Sequence, residues 1–298
     1  MGRRRGRTGL ASVVTVMNMK GGVGKTTATL NLGGLLARYV IGGKPPLRVL
    51  MIDYDPQFNL SQAYLTAKDY FALEKQRKTT LSILMDSGTA LNPYQLQVPG
   101  NHAPPSVGSL ATNLYKHPSG GLLDIVPSTL NLMYVALGQA TTNTGPIEER
   151  FEKFITDCRA HYDLILIDCH PAGSLFTKTS LTNSDYVLIP VVPQKYAVRG
   201  IGLMMEFMKA KKAGTKAPAP LILFNSTSRH GTSPEEAAIR ADGTYAPFCL
   251  ANTLKWYKAF GEPEGGSGFV WQSSKPYSTQ AFTNLAAVGR ELRTKIAL

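Results

Sequence analysis

The chain has 298 residues, 43% of them apolar and 17% charged, which is material for one large α/β core or two small ones. No run of about 18 apolar residues occurs, so no transmembrane helix is expected, and Cys158, Cys169 and Cys249 lack the C-x-x-C spacing of zinc and iron–sulfur sites. The formal net charge of +12 is uneven: residues 1–50 hold nine Lys/Arg and no acid, 51–200 eleven bases and thirteen acids, and 201–298 twelve bases and seven acids.

Two basic ends around a slightly acidic middle point to a polyanion partner, with nucleic acid ahead of a merely solvated basic face. Residues 1–10, with Arg3, Arg4, Arg5 and Arg7, read as a disordered basic arm without a signal-peptide cleavage pattern. The expectation is a cytoplasmic protein with reduced thiols, a single domain over 11–298 following the arm.

Along the chain, short apolar runs alternate with helical patterns. The runs are 13–17, 48–53, 122–126, 164–168, 186–190 and 221–225. They are continuous rather than alternating, as in parallel strands buried on both faces. Helical patterns cover 28–40, 147–160 and 201–212. The fold class is therefore α/β: a doubly wound, mostly parallel sheet with helices on both faces and ligands at the C-terminal strand ends. Residues 92–121, rich in Pro, Asn, Ser and Gly, read as a surface insert, and 262–268 as a second loop.

The first strand runs into Lys20-Gly21-Gly22-Val23-Gly24-Lys25-Thr26-Thr27 and then a helix. Strand, glycine turn and helix N-terminus are the context of a phosphate-binding loop. The glycines let backbone N–H groups, those of Gly21, Gly22, Val23, Gly24 and Thr27 among them, close around anionic oxygens. Lys25 reaches the β and γ phosphates of ATP, and the Thr26 hydroxyl ligates Mg²⁺. Lys20 is a second loop lysine for which an ordinary P-loop has no need. The strict G-x-x-x-x-G-K-[ST] pattern also places glycine at position 19, where this chain has Met19.

Three aspartates end predicted strands. Asp168 closes a Walker B-type run and would hold the metal through water, Asp53 would stand in the metal's outer shell, and Asp55 would orient the attacking water. A plain turn-forming Asp-x-Asp-Pro is the competing reading of Asp53–Pro56.

These segments resemble the ParA/MinD superfamily of P-loop ATPases. Lys20–Thr27 is similar to its deviant Walker A, Met51–Ser61 to the segment after the second strand, Ile125–Leu130 to the third-strand motif, and Tyr162–His170 to the Walker B. The resemblance runs from about 12 to 225, resumes near Tyr277–Leu292, and is loose over the variable region 226–276. Met19 and Asp55-Pro56-Gln57 favour the ParA branch over the MinD branch.

The resemblance implies a homodimer that sandwiches two ATP molecules, with Lys20 crossing to the partner's nucleotide. It implies slow hydrolysis stimulated by a ParB-like or adaptor protein, sequence-independent DNA binding by the ATP dimer, and positioning of a cargo over the nucleoid. Asn225, at a strand end, is a candidate for the adenine edge, with a simple strand-end turn as the competing reading. Lys209, Lys211, Lys212, Lys216, Arg229, Lys255, Lys258 and Lys275 are candidate phosphate contacts on DNA. His170 stands where the family usually has proline and reads as a loop histidine. Leu285, Val288, Leu292 and Ile296 form a stripe that reads as a packed helix rather than a membrane anchor, so no membrane partner is expected. A MinD-like ATPase on a membrane or scaffold is the alternative, followed by a metabolic P-loop enzyme. The N-terminus reads as too short for an added helix-turn-helix domain.

Overall fold

The computed structural model describes residues 10–86, 91–92, 99, 103–137, 144–170, 175–209, 217–261 and 263–298. Within them, all six apolar runs form strands: β1 (Ser12–Val16), β2 (Arg48–Tyr54), β4 (Leu122–Val126), β5 (Leu164–Cys169), β6 (Tyr186–Val191) and β7 (Ala219–Thr227). Two further strands complete one sheet: β3 (Thr112–Lys116) and β8 (Leu254–Lys255). The order is β3-β4-β2-β5-β1-β6-β7-β8, and every pair is parallel except β3–β4. β3 lies inside the segment read from sequence as loop. Its residues are exposed or half-buried, because an antiparallel edge strand buries little and carries no continuous apolar run.

The helices are α1 (Lys25–Arg38), α2 (Asn59–Tyr64), α3 (Ala67–Lys75), α4 (Leu81–Leu84), α5 (Val107–Leu110), α6 (Leu132–Leu137), α7 (Gly145–His161), α8 (Leu175–Asn183), α9 (Ala197–Lys209), α10 (Pro234–Ala241) and α11 (Ser278–Lys295). Successive strand side chains point to opposite faces, and the sheet is apolar on both. Val13, Leu50, Ile52, Ile165 and Ile167 face one layer with Phe151 and Phe154 of α7, Phe176 of α8 and Met204 of α9. Val14, Val16, Val49, Met51 and Leu166 face the other with Leu32, Leu35 and Leu36 of α1. The C-terminal stripe belongs to that second layer: Leu285, Val288, Leu292 and Ile296 are buried against α1 and the sheet. Each such side chain contributes ~1.5–3 kcal/mol by leaving water.

The register sets up the site. Asp53 on β2 lies opposite Asp168 on β5, and Asp168 also lies opposite Val16, the last residue of β1. The loop that leaves β1 therefore emerges beside both aspartates, at the edge where parallel strands present their C-terminal ends.

Candidate nucleotide site

The loop between β1 and α1 turns through two left-handed glycines, Gly22 at φ 70° and Gly24 at φ 86°. Gly24 is the N-cap of α1. No side chain caps that helix and its first turn holds no acid, so its leading N–H groups and dipole are left for an anion. A Cβ on Gly24 would stand 2.1 Å from Asn225 Nδ2, whereas Gly21 and Gly22 open onto free space.

Neighbouring strands brace this loop. The buried Asn18 donates from Nδ2 to the Pro190 carbonyl (2.8 Å) and accepts the Lys20 N–H at Oδ1 (3.0 Å). Asn225, on β7, donates from Nδ2 to the Val23 carbonyl (2.9 Å). That amide is directed at the loop backbone, a brace that the sequence reading did not assign to it. Asn18, placed among apolar residues, was missed altogether; its only sequence signal is a polar residue between a strand and a P-loop.

The two loop lysines are placed differently. Lys25 is half-buried at the start of α1, and its charge lowers the Asp168 pKa. Lys20 is exposed, and its ammonium reaches the exposed Gln194 side chain at 3.3 Å.

Asp168 is fully enclosed. Burial pushes its carboxyl up to about 7, against lowering by a hydrogen bond with the Thr26 hydroxyl, by Lys25 and by Thr29. Thr29 Oγ1 lies 3.4 Å from Asp168 Oδ1, while Asp168 Oδ2 is buried with no hydrogen-bond partner. An orphaned carboxylate oxygen beside a threonine hydroxyl is a donor set that suits a hard cation. Thr26 and Asp168 thus fit Mg²⁺. The uncapped α1 N-terminus with Lys25 fits the phosphates of ATP.

Asp53 is buried and raised well above the usual carboxylate range, chiefly by burial and then by the Asp168 charge. Its Oδ2 accepts the Ser61 N–H (2.8 Å) and the Ser61 hydroxyl (2.6 Å). Ser61 Oγ in turn accepts the Ser128 N–H (2.9 Å), and the Ser128 hydroxyl donates to the Asp55 carbonyl (2.6 Å). Thr80 Oγ1 ties the Asp53 carbonyl (2.7 Å) to that of Pro127 (3.1 Å). Two buried serines therefore link both aspartates of β2's end to the loop after β4. The Asp55 carboxylate is half-buried and accepts the Gln57 N–H (2.9 Å), an Asx turn. Asp53 and Asp55 both act on the Asp168 side of the site, since each pair raises a carboxyl pKa.

His170 is half-buried, and its N–H donates to the Tyr54 carbonyl (3.3 Å). Burial pushes the Cys169 thiol up to about 12, which keeps it protonated and inert. Of the basic candidates, Lys209 pairs with Glu206 at 3.2 Å at the end of α9, while Arg229, Lys255, Lys258 and Lys275 lie at the far end of the sheet around β7 and β8. Lys211, Lys212, Lys216 and the arm 1–9 lie outside the described residues.

Known proteins share parts of this sequence and its fold. The sequence pattern of the AAA domain family matches residues 11–217. The sporulation initiation inhibitor protein Soj of Bacillus subtilis is 29% identical over 202 residues, which cover 67% of this chain and 66% of Soj. That match stops just short of two thirds of Soj's length. Among solved structures, a plasmid partition protein of Borrelia burgdorferi bound to AMPPNP superposes with a TM-score of 0.67 at 20% identity, covering 96% of this chain and 99% of that one. pNOB8 ParA bound to nonspecific DNA superposes at 0.60 with 18% identity, over 97% and 99% of the two chains. At those identities the structural likeness establishes the shared P-loop fold.

Proposed function

Because the chain belongs to the AAA domain family, as a ParA-type P-loop ATPase within it, we propose that it is an ATP-driven dimer switch. In this reading the ATP dimer binds DNA without sequence preference and positions DNA or another cargo. The observation that carries the reading is the split between the two loop lysines. Lys25 points its charge into its own site, while Lys20 stands exposed at the rim beside Gln194. A lysine on the outer rim of a phosphate loop suits a nucleotide held by a second subunit.

ATP with Mg²⁺ supplies the phosphoryl group that passes to water. The α1 N-terminus and Lys25 would hold the phosphates, and Thr26 and Asp168 would hold the metal. Asp55 would orient the attacking water, and Asp53, fixed by Ser61, would stand in the metal's outer shell. Lys20 of the second subunit adds positive charge as the phosphoryl group departs, so hydrolysis requires the dimer and then dissolves it. A ParB-like or adaptor protein accelerates that slow step. The chain acts on the nucleoid in the cytoplasm; among the described residues no helix is long and apolar enough to cross a membrane.

Fluorescence anisotropy on unrelated duplexes tests it, with ATP, with ADP and without nucleotide. ATP-dependent binding that weakens steeply with salt and ignores sequence is expected. Equal binding in all three nucleotide states, or none at low salt, overturns the reading.

A further inference from the structure

The variable region closes into one surface at the C-terminal ends of β7 and β8. The Trp256 N–H donates to the Thr227 carbonyl (2.9 Å), which sets residues 256–258 beside 228–229. The Arg229 guanidinium carbon lies 4.7 Å from the Tyr277 ring centroid and 5.8 Å from that of Tyr257. Rings from two distant segments thus meet on one cation. Tyr277 holds φ 64° at the head of α11, a conformation costly for a bulky residue. It is 57% exposed, and Trp256 is 60% exposed.

Lys258 follows Tyr257 and Lys275 precedes Tyr277 by two residues in the sequence; both are exposed, with the Lys275 ammonium beside Gly261. Among the described residues, no carboxylate lies within ion-pair distance of Arg229, Lys255, Lys258 or Lys275. Exposed aromatic faces interleaved with cations that no described acid neutralises suit a ligand that is both planar and polyanionic. In a duplex the base faces are hidden in the stack, and only phosphates and groove edges remain for contact. A single strand offers both base faces and phosphates.

We infer that this surface is a stacking platform for single-stranded nucleic acid. Tyr277 and Trp256 receive base faces, and Arg229, Lys258 and Lys275 receive the phosphates between them. The inference deepens the nucleic-acid part of the proposed function by naming the strand form that this surface takes. Arg229 stands four residues beyond Asn225, which braces the phosphate loop, so one platform contact follows directly on the strand that supports the nucleotide site.

The two tryptophans make the test direct. Trp271 is half-buried and stacked on Phe269 at 4.8 Å, leaving Trp256 as the solvent-facing emitter. The full chain is titrated at low salt with an oligothymidine of about 20 nucleotides, long enough for the site sizes of such grooves. A duplex of equal length and ATP alone are titrated in parallel. Quenching of tryptophan emission by the single strand, absent with the duplex and absent in Trp256→Phe, is expected. Tyr277→Ala should weaken oligothymidine binding about tenfold, the loss of one stacked base, with duplex binding held within about twofold. Tyr277→Phe, which keeps the ring, should bind as the parent does and controls for folding. Equal affinity for both strand forms without quenching overturns the inference. So does quenching by ATP alone that oligothymidine does not extend, since the rings would then serve the nucleotide's own base. Loss of ATP-dependent duplex binding with single-strand quenching intact would remove the proposed switch and leave the platform standing.

Discussion

Asp168 gives the most quantitative handle on the site. It is enclosed beside a second buried carboxyl, Asp53, and is held at about 7 rather than 3.8. Between those values the folded chain keeps a proton that the unfolded chain has already released. Stability of the nucleotide-free protein therefore falls as pH rises through this window. From pH 5 to 8 this one carboxyl removes ~3 kcal/mol, at 1.36 kcal/mol for each pH unit up to about 7. Asp168→Asn keeps the shape, cannot ionise, and also removes the charge that raises Asp53. Urea unfolding without Mg²⁺ at pH 5 and pH 8 reads both effects. The parent should lose stability towards pH 8, and the variant should be flatter by ~3 kcal/mol. Adding Mg²⁺ and ATP at pH 8 should restore the parent and leave the variant unchanged. Parallel loss of stability in parent and variant would refute the reasoning, because the orphaned carboxylate would then not be carrying the cost.

Other perturbations test other parts of the site. Ser61→Ala removes a hydroxyl that donates to Asp53 and strands the Ser128 N–H; a loss of ~2–4 kcal/mol in urea unfolding is expected, together with a fall in kcat larger than any change in nucleotide affinity. Gly24→Ala puts a Cβ 2.1 Å from Asn225 Nδ2 at φ 86°; calorimetry should show ATP binding abolished and stability lowered by ~2 kcal/mol or more. Lys20→Ala should leave ATP affinity within about threefold and cut partner-stimulated hydrolysis by about 100-fold. Normal hydrolysis in that variant would dismiss the cross-subunit role.

The legible parts of this molecule are those that a single local pattern specifies. A strand buried on both faces must be apolar throughout, so β1, β2 and β4–β7 announced themselves as continuous runs. β3 buries little, and its Asn113 and Lys116 read as loop; β8 has two residues and no pattern to show. The phosphate loop was legible for the same reason, since its glycines and lysines are contiguous. The Asp53–Ser61–Ser128–Asp55 network was not, because it exists only when residues 53, 61, 80 and 128 meet across β2 and β4. Both serines lie in segments that resemble the family, with nothing local to mark them as partners of the aspartates. Asn225 shows the same limit: a polar residue ending a strand signals proximity to a ligand edge, while its bond to Val23 depends on how β7 packs beside β1's loop.

The central claim is that this site is half of a catalytic unit completed by a second chain. Light scattering on Asp55→Ala, which keeps the phosphate loop and loses the carboxylate proposed to orient the water, tests it directly. With Mg²⁺ and ATP the variant should run at twice the single-chain mass and persist there, while with ADP it should run at the single-chain mass. A single-chain mass in saturating ATP would contradict the account and return Lys20 to the role of an ordinary surface lysine.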